Sequence, residues 1–169
     1  MLNSFINFNH RKPFLMKTIQ QWLNEYGESH QDHTNKTIHW ICVPIIFFSL
    51  IGLLFTIKFP FAVAGYTVNL AEIAVLITVI YYISLSRTLW IGLMIFACIC
   101  LVLCQLLEKA NILPLWMLCA GLFVLAWIGQ FYGHNVEGKK PSFLKDIQFL
   151  LIGPAWLMSF IYKKLGIPI

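Results

Sequence analysis

The length, composition and charge of this chain exclude an ordinary soluble domain. Its 169 residues are 59% hydrophobic and only 11% charged, whereas a soluble domain has about 45–50% apolar and about 25% charged residues. The net charge is +5, from 12 basic and 7 acidic residues. In a membrane protein such an excess of basic residues indicates how the chain is oriented across the bilayer and where it contacts anionic headgroups, rather than nucleic-acid binding.

We expect no cleavable signal peptide in the N-terminal segment. Residues 1–15 carry charge and lack a long apolar core, so the first membrane span must act as its own insertion signal. Met16 fits as an alternative start of the chain. We therefore expect a flexible N-terminal extension over residues 1–15 and a single membrane domain over residues 16–169.

Four apolar runs predict transmembrane helices, at residues 38–57, 70–86, 89–107 and 112–132. About 20 apolar residues, rising 1.5 Å each, cross a hydrocarbon layer of about 30 Å. Only the second run contains an acid or a strong base, Glu72, which lies close to its start. A central acid would oppose insertion by about 2.5–3.5 kcal/mol, but an acid near the interface costs less. Buried core helices of a soluble protein are the disfavoured alternative.

A fifth apolar stretch, at residues 147–162, is short and has Gly153 and Pro154 in its middle. Proline lacks the backbone donor and clashes with the preceding helical turn. A re-entrant or interfacial segment is therefore at least as good an interpretation as a full span. The predicted fold class is all-α: a polytopic membrane bundle of four transmembrane helices plus this short C-terminal segment.

The basic residues predict the orientation of the bundle. With four spans, the N-terminal segment, the connection around Arg87 and the segment after residue 132 share one face, and they hold most of the lysines and arginines. The positive-inside rule makes that face cytoplasmic, in a bacterial inner membrane or an ER-type membrane.

Four of the five histidines lie at the predicted cytoplasmic ends of the first and fourth spans: His30, His33, His39 and His134. His30 and His33 share a helical face, but His39, nine residues after His30, lies on the opposite side of a straight helix. A break is needed for all three to meet. We place it at residues 34–35, with Asn35 capping the first span.

The second histidine segment predicts a polar stripe on the end of the fourth span. If the helix continues this far, Gln130, His134 and Glu137 lie within about 60° of arc. A histidine and a glutamate at helical spacing can present a nitrogen and a carboxylate to one metal ion, as in helical bundles.

Together, the two segments offer three or four imidazoles and one or two carboxylates, from Glu137 and Asp32. Such a set without thiolates suits Fe(II), Mn(II) or Zn(II), and open coordination positions would suit oxygen chemistry at iron. The alternative is that these histidines only decorate the membrane edge, as Trp and Tyr do.

Two motifs resemble those of the membrane 2-hydroxy fatty acid dioxygenase family, and the resemblance covers nearly the whole chain from about Met16. The motifs are His30-x4-Asn35-x3-His39-x4-Pro44 and Trp127-x2-Gln130-x2-Gly133-His134-x2-Glu137-x3-Pro141.

The resemblance implies an Fe(II)-dependent enzyme that uses O2 to shorten a 2-hydroxy fatty acid by one carbon with release of CO2. It implies iron ligation by His30, His39 and His134, with His33 as a fourth candidate. Glu137 is a further candidate ligand. Candidate residues around the metal or the substrate are Asn35, Gln130, Lys139 and Lys140, the two lysines being able to attract the substrate carboxylate or to anchor the positive face.

Three other classes remain open. A small metal-binding or transport protein would need ionisable residues at mid-membrane, and apart from Cys100, Cys104 and small hydroxyls the spans lack polar groups of that kind. A scaffold that binds a partner leaves the histidine grouping unexplained. A haem protein would need paired histidines that face each other across the bundle interior.

Overall fold

The computed structural model of the chain describes residues 17–63, 65–138 and 143–169. The predicted extension at residues 1–15 and the predicted substrate residues Lys139 and Lys140 lie outside these ranges. The described chain is a helical protein with one small hairpin: α1 (Ile19–Glu28), α2 (His33–Phe55), β1 (Lys58–Val63), β2 (Tyr66–Asn69), α3 (Leu70–Leu85), α4 (Leu89–Ala110), α5 (Leu115–Glu137) and α6 (Phe143–Lys164).

The chain breaks between α1 and α2, as the histidine spacing requires, but not at residues 34–35. Asp32 is the N-cap of α2, and its carboxylate accepts hydrogen bonds from the N–H groups of Thr34 and Asn35 at 2.8 and 3.0 Å. The bond from Asn35 N–H holds the pKa of the Asp32 carboxyl below its usual value. The predicted cap at Asn35 was therefore wrong: an acid three residues earlier already caps the helix.

Within the described ranges, three helices are long and apolar enough to cross a membrane: α2, α4 and α5. They contain most of the predicted spans 38–57, 89–107 and 112–132. The predicted span 70–86 forms α3, which is apolar but has only 16 residues, or about 24 Å of helix. Large hydrophobic side chains such as Ile77, Ile99 and Leu125 are more than half exposed on the outer faces, as in a protein whose solvent is lipid.

The two-stranded antiparallel sheet joins α2 to α3 at the end of α2 remote from the histidines. Gly65 in its turn has φ of +80°, a conformation that other residues rarely adopt. Asn69 ends the hairpin and caps α3 in a capping box with Glu72. Glu72 therefore serves a helix terminus, where its negative charge also interacts favourably with the helix dipole.

α6 is one continuous helix that contains Pro154, so the sequence-based alternative of a re-entrant hairpin was wrong. The turn before the proline is supported from outside, because the Tyr82 hydroxyl of α3 donates to the Leu151 carbonyl at 2.6 Å. Ile152, Ala155 and Trp156 are buried in the core on this side. Packing and this hydrogen bond keep the helix continuous past a residue that would otherwise break it.

α2 is the central helix of the bundle. α5 packs mainly along α2, and α1 packs mainly on α6. The C-terminal ends of α1 and α5, the N-terminal end of α2 and the middle of α6 meet at one end of the molecule, as ring contacts between their side chains show. The fold therefore brings residues more than 100 positions apart to a single site.

Candidate metal centre

Three histidines converge where α1, α2 and α5 meet. His30 follows the end of α1, His39 lies in the second turn of α2, and His134 lies in the last turn of α5. One nitrogen of each lies within 4.8 Å of those of the other two. The ring centroids are 4.2 Å apart for His30 and His39, and 5.1 and 4.9 Å from each of these to His134. All three side chains are buried, with exposed fractions of 2%, 1% and 7%.

Backbone carbonyls fix the tautomers of two of these imidazoles. Nδ1 of His30 lies 2.6 Å from the carbonyl oxygen of Tyr26, and Nδ1 of His39 lies 2.9 Å from that of Asn35. A carbonyl can only accept, so each Nδ1 carries a proton, and in the neutral imidazole the lone pair is then on Nε2. Metal-binding histidines usually have this arrangement, in which the second ring nitrogen donates to an oxygen.

The donor set fits a divalent metal ion. Imidazole nitrogens bind such ions at about 2.0–2.1 Å, and three nitrogens within 4.8 Å of one another can close around one ion with small movements. Neutral imidazoles without thiolates suit Fe(II) and Zn(II), and three protein ligands leave positions for other molecules. His30, His39 and His134 could therefore hold a metal ion.

An aromatic wall covers His30 on the side of α6. The Tyr26 ring stacks on the imidazole, with centroids 4.2 Å apart and an interplanar angle of 8°. The Trp156 ring lies 5.3 Å from both Tyr26 and His30. A Cβ at Gly153 would come within 3.1 Å of the Tyr26 hydroxyl, so the small residue permits this approach. Tyr26 and Trp156 were not predicted as site residues from the sequence, and Gly153 was interpreted only as part of a helix break.

Glu137, predicted as a further candidate metal ligand, lies at the end of α5, where both of its carboxylate oxygens accept hydrogen bonds. One carboxylate oxygen accepts from the N–H of Gln31 at 2.8 Å, and the other accepts from the side-chain amide of Asn35. Glu137 is also outside the group of convergent ligand atoms. The carboxylate therefore ties the end of α5 to the α1–α2 connection and to α2.

His33, predicted as a fourth candidate ligand, lies outside the convergent group that the other three histidines form. It is the first residue of α2, its side chain is exposed, and it is not part of the convergent group. His30 and His33 would share a helical face only if one helix ran through both residues. The break lies between them, so His33 turns with α2 while His30 stays with α1.

The other predicted residues have varied positions. Asn35 is fully buried between the three histidine-bearing segments, and Gln130 is partly buried one turn before His134 on α5. Asp32 caps α2 and is not part of the histidine group. Trp127 packs in the cluster that joins α2 to α5, near Phe123 and Phe131, and its indole N–H is buried.

Comparison with known proteins gives a family and one curated relative. A family model described as 2-hydroxy-palmitic acid dioxygenase Mpo1-like matches residues 16–165. The 2-hydroxy-palmitic acid dioxygenase MPO1 of Saccharomyces cerevisiae is 29% identical over 150 residues, which cover 88% of this chain and 82% of the yeast protein. No solved structure matches the chain significantly.

Proposed function

Because the chain belongs to the 2-hydroxy-palmitic acid dioxygenase Mpo1-like family, we propose that it is an Fe(II)-dependent membrane dioxygenase of fatty acid α-oxidation. The substrate is a 2-hydroxy fatty acid. With one O2 it gives the fatty acid one carbon shorter, CO2 and water, so that atoms balance. The observation that carries the proposal is the convergence of His30, His39 and His134 in a chain of this family.

The three histidines would hold the iron through one ring nitrogen each. Iron bound there would supply the redox chemistry with O2 and a point of attachment for the substrate carboxylate and 2-hydroxyl. The carbonyls of Tyr26 and Asn35 orient two of the rings before any ion arrives. Such preorganisation removes part of the cost of assembling a metal site.

The protein also shields the centre from water. The three imidazoles are at most 7% exposed, and the rings of Tyr26 and Trp156 cover His30. Exclusion of water strengthens electrostatic interactions in a site and suppresses side reactions. Lys139 and Lys140, which follow α5 in the sequence, would attract the substrate carboxylate, and Gln130 would lie near the substrate or the metal.

The arrangement of helices fits a centre at the membrane edge. We propose that α2, α3, α4 and α5 each cross the bilayer and that α6 covers the site. Four crossings return the chain to its starting side, which agrees with the contact between His39 on α2 and His134 on α5. The charge bias makes this side cytoplasmic, and the acyl chain of the substrate would extend into the bundle or the bilayer.

The direct test supplies 2-hydroxypalmitate labelled with 13C at C1 to anaerobically purified, iron-loaded protein. Under O2 we expect pentadecanoic acid and 13CO2 in equal amounts by mass spectrometry, and under argon neither. His39→Ala and His134→Ala should each lower the rate on the order of 100-fold or more, because loss of a ligand exceeds the effect of an outer-shell change. Protein that binds metal but forms no product would instead support a metal-binding or transport role.

A further inference from the structure

We propose that Asn35 is a positioning residue that sets the spacing of the three histidines. The proposal deepens the proposed function and rests on it, since it concerns how the chain prepares the same metal centre. Asn35 is 0% exposed and lies in the first turn of α2, between the end of α1 and the last turn of α5. Its side chain and its backbone together contact all three histidine-bearing segments.

The first contact of Asn35 is with the segment that carries His30. The side-chain amide donates to the carbonyl of Ser29 at 3.2 Å, and Ser29 directly precedes His30. The amide thus fixes the backbone that leaves α1 at the point where the helix has ended. The His30 N–H also donates to the Gly27 carbonyl at 3.0 Å, so the Asn35 amide adds a bond from α2 to a backbone that is also held from within α1.

The second contact is with His39 and belongs to the backbone of Asn35. Its carbonyl oxygen accepts from Nδ1 of His39 at 2.9 Å. A rotation of α2 that moved the Asn35 side chain would therefore also move the acceptor that orients the His39 ring. Asn35 therefore links the bonds of its own side chain to the orientation of the His39 imidazole.

The third contact is with α5, through Glu137 and Gly133. The Asn35 amide donates to a carboxylate oxygen of Glu137. Among the described residues no donor reaches Asn35 Oδ1, and this oxygen instead faces Gly133, where an added Cβ would collide with it. Gly133 directly precedes His134, so the depth to which Asn35 penetrates toward α5 sets the position of His134.

Two substitutions change these contacts without removing a histidine. Asn35→Asp replaces the donating amide with a carboxylate that faces the Ser29 carbonyl and the Glu137 carboxylate. Gly133→Ala pushes α5 away from Asn35, which cannot rotate without losing its bonds to Ser29 and Glu137. We expect each to weaken Co(II) binding by about 10- to 100-fold, the usual range for outer-shell partners of a metal site.

Matched glycine variants on the same helix separate positioning from packing. Gly129→Ala crowds Cys42 Sγ at 2.7 Å one turn deeper in the α2–α5 interface, and Gly121→Ala meets nothing within 4 Å. The Cys42 thiol can rotate away, so Gly129→Ala should lower thermal stability but change the Co(II) dissociation constant by at most about threefold. Gly121→Ala should leave the Co(II) dissociation constant unchanged and should not lower thermal stability, because alanine favours a helix interior more than glycine does.

A double variant tests the bond between Asn35 and Glu137 itself. In Asn35→Asp/Glu137→Gln, the amide and the carboxylate exchange places, so one hydrogen bond forms with its direction reversed, and residue 137 can still accept from Gln31. We expect this variant to bind Co(II) at least about tenfold more tightly than Asn35→Asp alone, because the hydrogen bond between residues 35 and 137 is restored.

The measurements are Co(II) titration in detergent, the ligand-field absorption spectrum of the complex, and thermal unfolding of the metal-free protein. The proposal is overturned if Asn35→Asp and Gly133→Ala keep the wild-type dissociation constant and spectrum, if Gly129→Ala weakens binding as much as Gly133→Ala, or if the folded double variant shows no recovery. Wild-type protein that binds no Co(II) would instead overturn the proposed metal centre.

Discussion

At the scale of single residues, the orientation of an imidazole depends on what its second nitrogen contacts. In His30 and His39 that contact is the carbonyl four residues earlier, Tyr26 and Asn35 respectively. A helical turn supplies such a carbonyl at a fixed place, so local backbone geometry prepares two of the three candidate ligands. The third, His134, joins them through the packing of α5 on α2.

One prediction at this scale concerns His33, the histidine outside the convergent group. His33→Ala should leave one metal ion per chain and the wild-type rate within about threefold, because an exposed residue away from the site contributes little. His39→Ala is the matched change within the convergent group, and this variant should bind much less than one metal ion per chain. Elemental analysis of both purified variants checks this. Loss of metal in His33→Ala would place a fourth imidazole at the centre.

The three histidines that converge in the structure, His30, His39 and His134, all belong to the set predicted from the sequence, because they occur in two polar segments at the ends of spans. His33 and Glu137 stay predicted ligands only, since both lie outside the convergent group, and the position of His33 depends on where the α1–α2 break lies. Because Asp32 and not Asn35 caps α2, the break lies a few residues earlier than predicted, and His33 belongs to α2 instead of α1. Tyr26 and Trp156 could not be predicted as site residues, since no sequence pattern distinguishes them from aromatic residues that only pack in the core.

At the scale of elements, hydropathy located the long helices but not their ends. Apolar composition decides where a chain can lie in lipid, and α2 and α5 extend beyond their predicted spans because polar capping residues and site residues prolong them. The hairpin of β1 and β2 escaped notice because its strands have six and four residues, too few for a periodic pattern. α6 stayed continuous through Pro154 because of tertiary contacts that no local pattern reveals.

The contact between α3 and α6 carries a prediction of its own. Tyr82→Phe removes the hydroxyl that donates to the Leu151 carbonyl and should lower the free energy of unfolding by about 1 kcal/mol, the scale of one such bond. Tyr81→Phe, which removes the same group from the preceding residue, is the control and should have a smaller effect. Unfolding in detergent, followed by circular dichroism, compares the two. Equal losses of stability would contradict a specific role for the Tyr82 hydroxyl.

At the scale of the whole molecule, the histidines and the hairpin occupy opposite ends of α2. A bundle in which α2, α3, α4 and α5 all cross the bilayer places these ends on opposite sides of the membrane. α3 is shorter than the other three helices, and its 16 residues require the bilayer to thin or the hairpin to enter the interface. The candidate site and the hairpin then face different compartments.

Cysteine labelling in sealed vesicles tests this topology. The exposed residue Gln20 of α1, the helix that precedes His30, and the exposed residue Thr67 of the hairpin are each replaced by cysteine. Cys98, exposed on α4, is first replaced by serine. In right-side-out vesicles, a membrane-impermeant maleimide should label the Thr67→Cys variant at once and the Gln20→Cys variant only after permeabilisation. Labelling of both from the same side would contradict four crossings.

The measurement that tests the central account most directly is the rate of product formation against bound iron. Metal-free protein is titrated anaerobically with Fe(II), and O2-dependent formation of pentadecanoic acid from 2-hydroxypalmitate is followed at each ratio. The account predicts a rate that rises linearly and levels off at one iron per chain, with no rise in His30→Ala, His39→Ala or His134→Ala. A full rate in metal-free protein, or in any of these variants without bound iron, would contradict it.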